Sequence, residues 1–309
     1  MKIAVMGSGG VGGYFGGRLA KAGCDVTFIA RGAHLAAMRE HGLRIESQAG
    51  DIHVPRVHAT DDPSTIGPVD LVILSVKLAD TESAVKSIAP LFASHTGVVS
   101  LQNGVQKDDM LRRAFGEKAV MGGVAYIATA VARPGVIAHT GSMQRLLFGE
   151  YDGVRSARAR ALLDACKSAG INAEISDDIR RAIWEKFVFL VGLSGTTTTV
   201  RLPIGPIREN PRSRAFLHDI VQEAVAVGRA HGVALPEDYV QSRLQFCDGL
   251  PAEMTSSMHH DLERGNALEV DWLSGGVAAL GDAAGVPTPA NRAVCAILAP
   301  HARGRTSPR

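Results

Sequence analysis

A chain of 309 residues that is 46% hydrophobic and 21% charged has room for two ordinary globular domains. Its 33 basic and 31 acidic residues leave a formal net charge of +2. That balance excludes the global basic field that binds nucleic acid or an anionic membrane, and leaves small anionic ligands open. Cys24, Cys166, Cys247 and Cys295 lie far apart and form no C-x-x-C pair, against both a disulfide framework and a zinc site; scattered thiols fit a reducing cytoplasm. Only four apolar residues follow Lys2 before glycine, and the apolar run Phe187 to Leu193 is far too short to span a bilayer, so the expected location is cytoplasmic with no membrane anchor.

In chain order, the first half alternates strand-like and helix-like stretches: Lys2 to Met6, Gly10 to Gly23, Asp25 to Ala30, Asp70 to Ser75, Thr81 to Ala89 and Gly97 to Leu101. Such alternation predicts a parallel sheet covered by helices, an α/β domain of the Rossmann type. Between Val120 and Phe148 the helical period disappears. Short β-rich runs there are separated by Arg133-Pro134-Gly135 and Thr140-Gly141-Ser142, which read as turns between antiparallel strands. A helix from about Ser156 to Ala169 and a strand near Asn172 to Ile175 follow. From Ser176 the pattern turns almost wholly helical, with Ser176 as the expected N-cap and Asp177 and Asp178 in a first turn that favours negative charge. The expected division is therefore a Rossmann domain over 1–175 and an all-helical domain over 176–309. Within the latter, Asn210-Pro211 reads as N-cap and first-turn proline of a helix that Gly232 stops. Thr196 to Thr199 is a brief β-branched run, and His301 to Arg309 reads as a disordered basic tail.

The strongest local signal is Gly7-Ser8-Gly9-Gly10-Val11-Gly12, a G-x-G-x-x-G that directly follows a hydrophobic strand and directly precedes a helix. Gly7 permits the tight turn, Gly9 lets the backbone approach a pyrophosphate, and Gly12 lets helix and strand pack closely, with the helix N-terminus facing the anion. The competing reading is a glycine-rich turn without a ligand. An NAD enzyme usually carries an acid at the end of the second strand, but Val26 to Ala30 ends here in Arg31. An arginine suits a 2′-phosphate, which selects NADPH; the bland alternative is a surface arginine. Lys77 and Asn103-Gly104 each follow a predicted strand, on the edge where such sheets bind ligands.

Lys186 sits in an apolar helix, with Ala182, Ile183, Phe189 and Leu190 three and four residues away. None can pair with its charge, so the ammonium must snorkel, meet an acid distant in sequence, or serve a functional cleft. A partly buried lysine can polarise a carbonyl and protonate a developing alkoxide, as hydride reduction requires. Together, the glycine motif with Arg31, Ser75-Val76-Lys77, Leu101-Gln102-Asn103-Gly104, Trp184-Glu185-Lys186, the stretch from Ser256-Ser257-Met258 to Glu269-Val270-Asp271, and Pro287 to Asn291 resemble the ketopantoate reductase (2-dehydropantoate 2-reductase) family over essentially the whole length. The resemblance implies NADPH-dependent reduction of a 2-oxo acid to a 2-hydroxy acid, in that family ketopantoate to pantoate on the way to coenzyme A. It implies Lys186 as proton donor and Glu269 as its partner at the cofactor edge. Asn103 would contact nicotinamide and substrate, Ala128 the nicotinamide end through its backbone, and Ser257 the substrate. Taken alone, Ser257 and Glu269 read as a solvated helix surface.

Counted from the lysine, positions that carry asparagine in members with pantoate chemistry hold Leu190, Ser194 and Ile204, and the one before the serine pair holds Met254. Lost amides remove hydrogen bonds to substrate, so a more apolar 2-oxo acid becomes the rival substrate, unless Ser194, Ser257 and water replace them. Two further rivals are a related β-hydroxyacid dehydrogenase, which would lack the Ser-Ser-Met and Glu-Val-Asp blocks, and a non-catalytic NADP(H) sensor. A metal mechanism on His259, His260 and Asp261 fails on spacing, because adjacent helical residues diverge. The expected partners are a small 2-oxo acid and, as the one protein considered, a second copy of the chain.

Overall fold

The computed structural model describes residues 1–305, which form two compact units, 1–103 with 107–182, and 104–106 with 183–305. The first unit is built on a sheet whose strands run β1 (Lys2–Met6), β2 (Asp25–Ile29), β3 (Leu43–Ser47), β4 (Ile52–Val54), β5 (His58–Thr60), β6 (Leu71–Leu74), β7 (Gly97–Ser100), β8 (Val120–Arg133), β9 (Val136–Gly149) and β10 (Asn172–Ile175). Their spatial order is β4-β3-β9-β8-β7-β6-β1-β2-β5, with β10 on β9. Every pairing is parallel except β3 with β4 and β8 with β9. The helices between strands are α1 (Gly10–Lys21), α2 (Gly32–His41), α3 (Thr81–Ile88), α4 (Lys107–Phe115) and α5 (Ala157–Ser168). Strands covered on both faces must be apolar on both, which is why β6 reads Leu-Val-Ile-Leu and is buried throughout. The pleat sorts the same strand into two cores: Ile3 and Val5 of β1 pack with Phe15 and Phe28, while Ala4 and Met6 pack with Val72, Leu74 and Ile88.

The second unit is helical: α6 (Ile179–Val200), α7 (Ile204–Glu209), α8 (Pro211–Ala230), α9 (Tyr239–Asp248), α10 (Ser257–Arg264), α11 (Ser274–Ala284) and α12 (Pro289–Leu298). Its core joins Trp184, Phe187, Val188 and Val191 of α6 to Leu217, Ile220, Val221 and Ala224 of α8, with Val277, Val294 and Leu298 from the last two helices. Asn210 caps α8 as its sequence predicts, accepting from the N–H groups of Arg212 at 3.0 Å and Ser213 at 3.4 Å. The four threonines lie within α6, where the hydroxyls of Thr196, Thr197 and Thr199 turn back on the helix. Thr196 Oγ1 donates to Gly192 O at 2.7 Å and Thr197 Oγ1 to Leu193 O at 2.6 Å. No described helix is long and apolar enough to cross a membrane.

Three local expectations need correction. Thr140-Gly141-Ser142 does not reverse the chain: the β8–β9 register jumps from Ile127↔Gln144 to Thr129↔His139, so residues 140–143 bulge within one strand. Gly141, at φ +76°, supplies the left-handed residue that a turn and a bulge both require. The cap of α6 falls on Asp178, whose carboxylate accepts from Arg181 N at 2.9 Å, because Ser176 N is still bound to Phe148 O of β9 at 2.8 Å. Of the tail expected to be disordered, residues 301–305 are fixed, with Arg305 N donating to Gly265 O at 2.8 Å; residues 306–309 lie outside the described ones.

Candidate active site

The turn between β1 and α1 is a cradle whose fit to a phosphate can be tested atom by atom. Gly7 holds φ +94°, and a Cβ there would lie 2.6 Å from Val76 N, so the turn is pressed against the end of β6. Ser75 secures this contact by donating its hydroxyl to Gly7 O at 2.8 Å. A Cβ on Gly12 would strike Ser75 Oγ and Gly7 O, whereas one on Gly9 would meet nothing within 4 Å. Of the four glycines from Gly7 to Gly12 only one is open, and it is Gly9, the N-cap of α1. Gly9 makes no side-chain cap, and the first turn carries no acid. Main-chain N–H groups at this helix start are therefore offered to an anion, with the helix dipole behind them. Ser8, which is buried, binds inward instead: its N–H and hydroxyl both donate to Ile29 O, at 3.3 and 3.0 Å. Gly10 and Val11 open the helix, and Gly10 approaches β8 so closely that a Cβ would lie 2.6 Å from Thr129 O. Ala128, exposed, is the β8 residue at the bulge and adjoins that contact.

Arg31 is exposed two residues after the end of β2, as N-cap of α2, and its own side chain makes no cap. Lys77 follows β6, exposed, and Asn103 follows β7, half-buried, so both lie at carboxyl ends of neighbouring strands. Gln102 ties their loops together. Its Nε2 donates to Thr81 Oγ1 at 2.8 Å and to Lys77 O at 3.4 Å, while its Oε1 accepts from Ser100 Oγ at 2.9 Å. Beneath that loop is a residue that sequence reading missed. Lys107, 1% exposed, spends its ammonium protons on Ser100 O at 2.9 Å, Gly123 O at 3.2 Å and Asp108 at 3.0 Å. Tyr151 donates to the same carboxylate, and Arg112 lies 3.8 Å over the Tyr151 ring. Burial pulls the Lys107 ammonium below its ordinary range against the attraction of Asp108, and burial and then Asp108 push the Tyr151 phenol up. In sequence, Lys107 stands beside Asp108 and Asp109 with nothing to mark it as buried.

In the second unit, Lys186 is half-buried on α6 between buried Trp184 and Phe187, and Leu190 and Ser194 follow it at four-residue steps along one stripe. Ser194 is 2% exposed. One turn further, Thr197 Oγ1 lies 3.1 Å from Ser256 Oγ, the N-cap of α10, which pins exposed Ser257 at the head of α10 to this part of α6. Half-buried Glu269 leads the turn into α11, its carbonyl accepting from Leu273 N at 3.0 Å. That turn also meets α6, for a Cβ on Gly195 would lie 3.5 Å from Ser274 Oγ. The structure therefore gathers Ser194, the head of α10 and the turn after Glu269 around residues 194–198. Ile204 is fully buried in the helical core, half-buried Leu190 and Met254 pack against it, and Ile204 N binds Met254 O at 2.9 Å. His259 and His260 are occupied locally. His259 has Nδ1 2.8 Å from Thr197 O, and His260 has Nε2 3.0 Å from Thr255 Oγ1.

Comparison with known proteins decides the lineage. The family described as ketopantoate reductase PanE/ApbA matches residues 3–153, and its C-terminal counterpart matches residues 178–302. The chain belongs to the ketopantoate reductase family. Like its relatives it is an oxidoreductase, one that reduces a 2-oxo acid with a pyridine nucleotide. It is 33% identical to a 2-dehydropantoate 2-reductase of Mesorhizobium japonicum, covering 96% of this chain and 97% of that one. It is 32% identical to an uncharacterized oxidoreductase of Bacillus subtilis over 89% of this chain and 90% of the relative. Among solved structures, the PanE/ApbA family ketopantoate reductase from Ralstonia eutropha JMP134 superposes with a TM-score of 0.89 at 37% identity, covering 98% of each chain.

Proposed function

We propose that this ketopantoate reductase relative uses NADPH, held by residues 1–175, to reduce a 2-oxo acid more apolar than ketopantoate, with the chemistry contributed by residues 176–309. For the cofactor, the support is the uncapped start of α1 at Gly9, open to a pyrophosphate, together with exposed Arg31 and no acid at the end of β2. Gly7 to Gly12 would hold the pyrophosphate and Arg31 the 2′-phosphate. Lys77, Asn103, Ala128 and Glu269 would line the remainder. When bound, the reduced nicotinamide supplies hydride to the substrate carbonyl carbon. Lys186 Nζ polarises the carbonyl oxygen and gives it a proton as negative charge develops, Glu269 orients that ammonium, and Asn103, Ser194 and Ser257 hold the substrate.

The observation that carries the substrate half is that Leu190 and Met254 are half-buried hydrocarbon side chains packed against the helical core in which Ile204 is fully buried. Where the family's pantoate-forming members offer amides, this chain offers hydrocarbon. Each hydrogen bond withheld from a hydroxylated substrate costs on the order of 1 kcal/mol, so two withheld together, at Leu190 and Met254, lower specificity by about one to two orders of magnitude. The test is kcat/KM for ketopantoate beside 2-oxo acids lacking its hydroxyl, with NADPH and with NADH. We expect NADPH to be preferred and an unhydroxylated acid to win. A clear preference for ketopantoate would return the chain to pantoate formation, the family's plain assignment, and the absence of turnover with every acid would favour an NADP(H) sensor.

A further inference from the structure

His34 uses both ring nitrogens to join the glycine-rich turn to a hairpin far away in the chain. Its Nε2 lies 2.9 Å from Ser8 O, and its Nδ1 accepts from Gly135 N at 3.0 Å. An accepting Nδ1 carries no proton, so the ring proton is assigned to Nε2, which donates to Ser8 O. Gly135, at φ +76°, is itself clamped: its carbonyl accepts from Arg44 N at 2.9 Å, and a Cβ on it would lie 3.1 Å from Ala37 Cβ of α2. His34 belongs to the first turn of α2, the helix that Arg31 opens, and Leu35 N binds back to Arg31 O at 3.3 Å. One imidazole thus connects Ser8, between the crowded and the open glycine of the phosphate turn, to the turn of helix that carries Arg31.

We propose that His34 is a positioning residue of the cofactor site, setting the distance between the pyrophosphate-binding turn and the arginine that reads the 2′-phosphate. The proposal rests on the NADPH reading above. The physical reason is that two phosphate groups on one ligand are recognised jointly only when their two subsites are held at a fixed separation, and Arg31 is on an exposed helix start with no cap of its own. A turn anchored only to β2 through Ile29 O and to the end of β6 through Ser75 would still take a pyrophosphate. The nucleotide carrying the additional phosphate would lose its advantage.

Replacements can separate the two hydrogen bonds. Gln puts a donor near the place of Nε2 and so keeps the bond to Ser8, Asn puts an acceptor near the place of Nδ1 and so keeps the bond to Gly135, and Ala keeps neither. Dissociation constants for NADPH and NADH are measured by fluorescence titration on full-length wild type, His34→Gln, His34→Asn, His34→Ala and Arg31→Ala, each first checked for a native circular dichroism spectrum. We expect His34→Ala and His34→Asn to weaken NADPH about tenfold, the worth of one hydrogen bond, and NADH far less, with His34→Gln near wild type. Equal losses for both nucleotides in His34→Ala, or no loss in any variant, would overturn the proposal. An unchanged NADPH constant in Arg31→Ala sinks the 2′-phosphate reading instead. In that case His34 as a positioning residue survives only if His34→Ala weakens either nucleotide and His34→Gln restores it.

Discussion

In the first unit the groups proposed to meet a ligand are main-chain N–H groups at Gly9 and the head of α1, positioned by what glycine lacks; in the second the proposed groups are the side chains of Lys186, Ser194 and Ser257, on elements held by how α6, α10 and the turn before α11 pack. A backbone site tolerates no Cβ where atoms crowd, yet asks little of the side chains around it. A side-chain site keeps its chemistry only if several helices keep their residues, and where the resemblance implies amides this chain holds Leu190 on α6, Ile204 at the start of α7 and Met254 before α10, with lysine at 186. Cofactor recognition and substrate recognition can therefore change independently.

The comparison breaks most decisively at Lys186. Lys186→Ala should lower kcat by about two to four orders of magnitude, the usual worth of a positioned general acid, while the dissociation constant for NADPH stays within twofold. Stopped-flow turnover beside fluorescence titration separates the two. Near-normal turnover would return Lys186 to a snorkelling surface lysine. In the first unit the comparably large effect should be on stability. Lys107→Met leaves the Asp108 carboxylate buried without its ammonium and strips a donor from Ser100 O and Gly123 O. The expected loss is about 3–5 kcal/mol, read from the denaturation midpoint of the first unit's transition. A midpoint like wild type would mean that Tyr151 and Arg112 alone satisfy Asp108.

A smaller effect tests the backbone site from inside its own motif. Gly12→Ala pushes a methyl into Ser75 Oγ and Gly7 O and should cost about 1–3 kcal/mol of stability. Gly9→Ala has open space and φ −75°, so the melting temperature should stay unchanged while affinity for the nucleotide falls about tenfold or more. Equal losses of stability in the two variants would deny Gly9 its place as the open glycine.

What the sequence made legible follows the same division. The βαβ half reads easily because each strand, each helix start and the glycine motif are signalled within a few residues. Bounds such as Lys2–Met6 for β1 and Asn172–Ile175 for β10 follow directly. Misreadings arose where one local signal serves two structures: Gly141 suits a turn or a bulge, and Ser176 or Asp178 could each cap α6. Lys186 was conspicuous because its neighbours three and four residues away are apolar. His34 was invisible, since its partners Ser8 and Gly135 stand 26 and 101 residues away. Lys107 was hidden for a related reason: burial is a property of the fold, and a lysine beside two aspartates gives no sign of it.

The block Pro287 to Asn291 supplies the gentlest test, because it supports the family resemblance and yet its geometry is that of a brace. Glu223 of α8, 9% exposed, accepts from Ala290 N at 2.7 Å, Asn291 N at 2.9 Å and Asn291 Nδ2 at 2.8 Å, so one carboxylate caps the first turn of α12. Asn291, fully buried, passes the contact on by donating to Ile220 O at 3.2 Å. A negative charge at a helix N-terminus, bonded to several N–H groups, contributes more than a neutral acceptor. Glu223→Gln retains the shape but turns one acceptor into a donor facing donors. It should therefore lower stability by about 1–2 kcal/mol, with kcat and both Michaelis constants near wild type. If turnover fell while the melting temperature held, α12 would belong to the reaction, and the contrast between a backbone-built and a side-chain-built site would have to include a third element; a stability loss with intact kinetics keeps the motif structural.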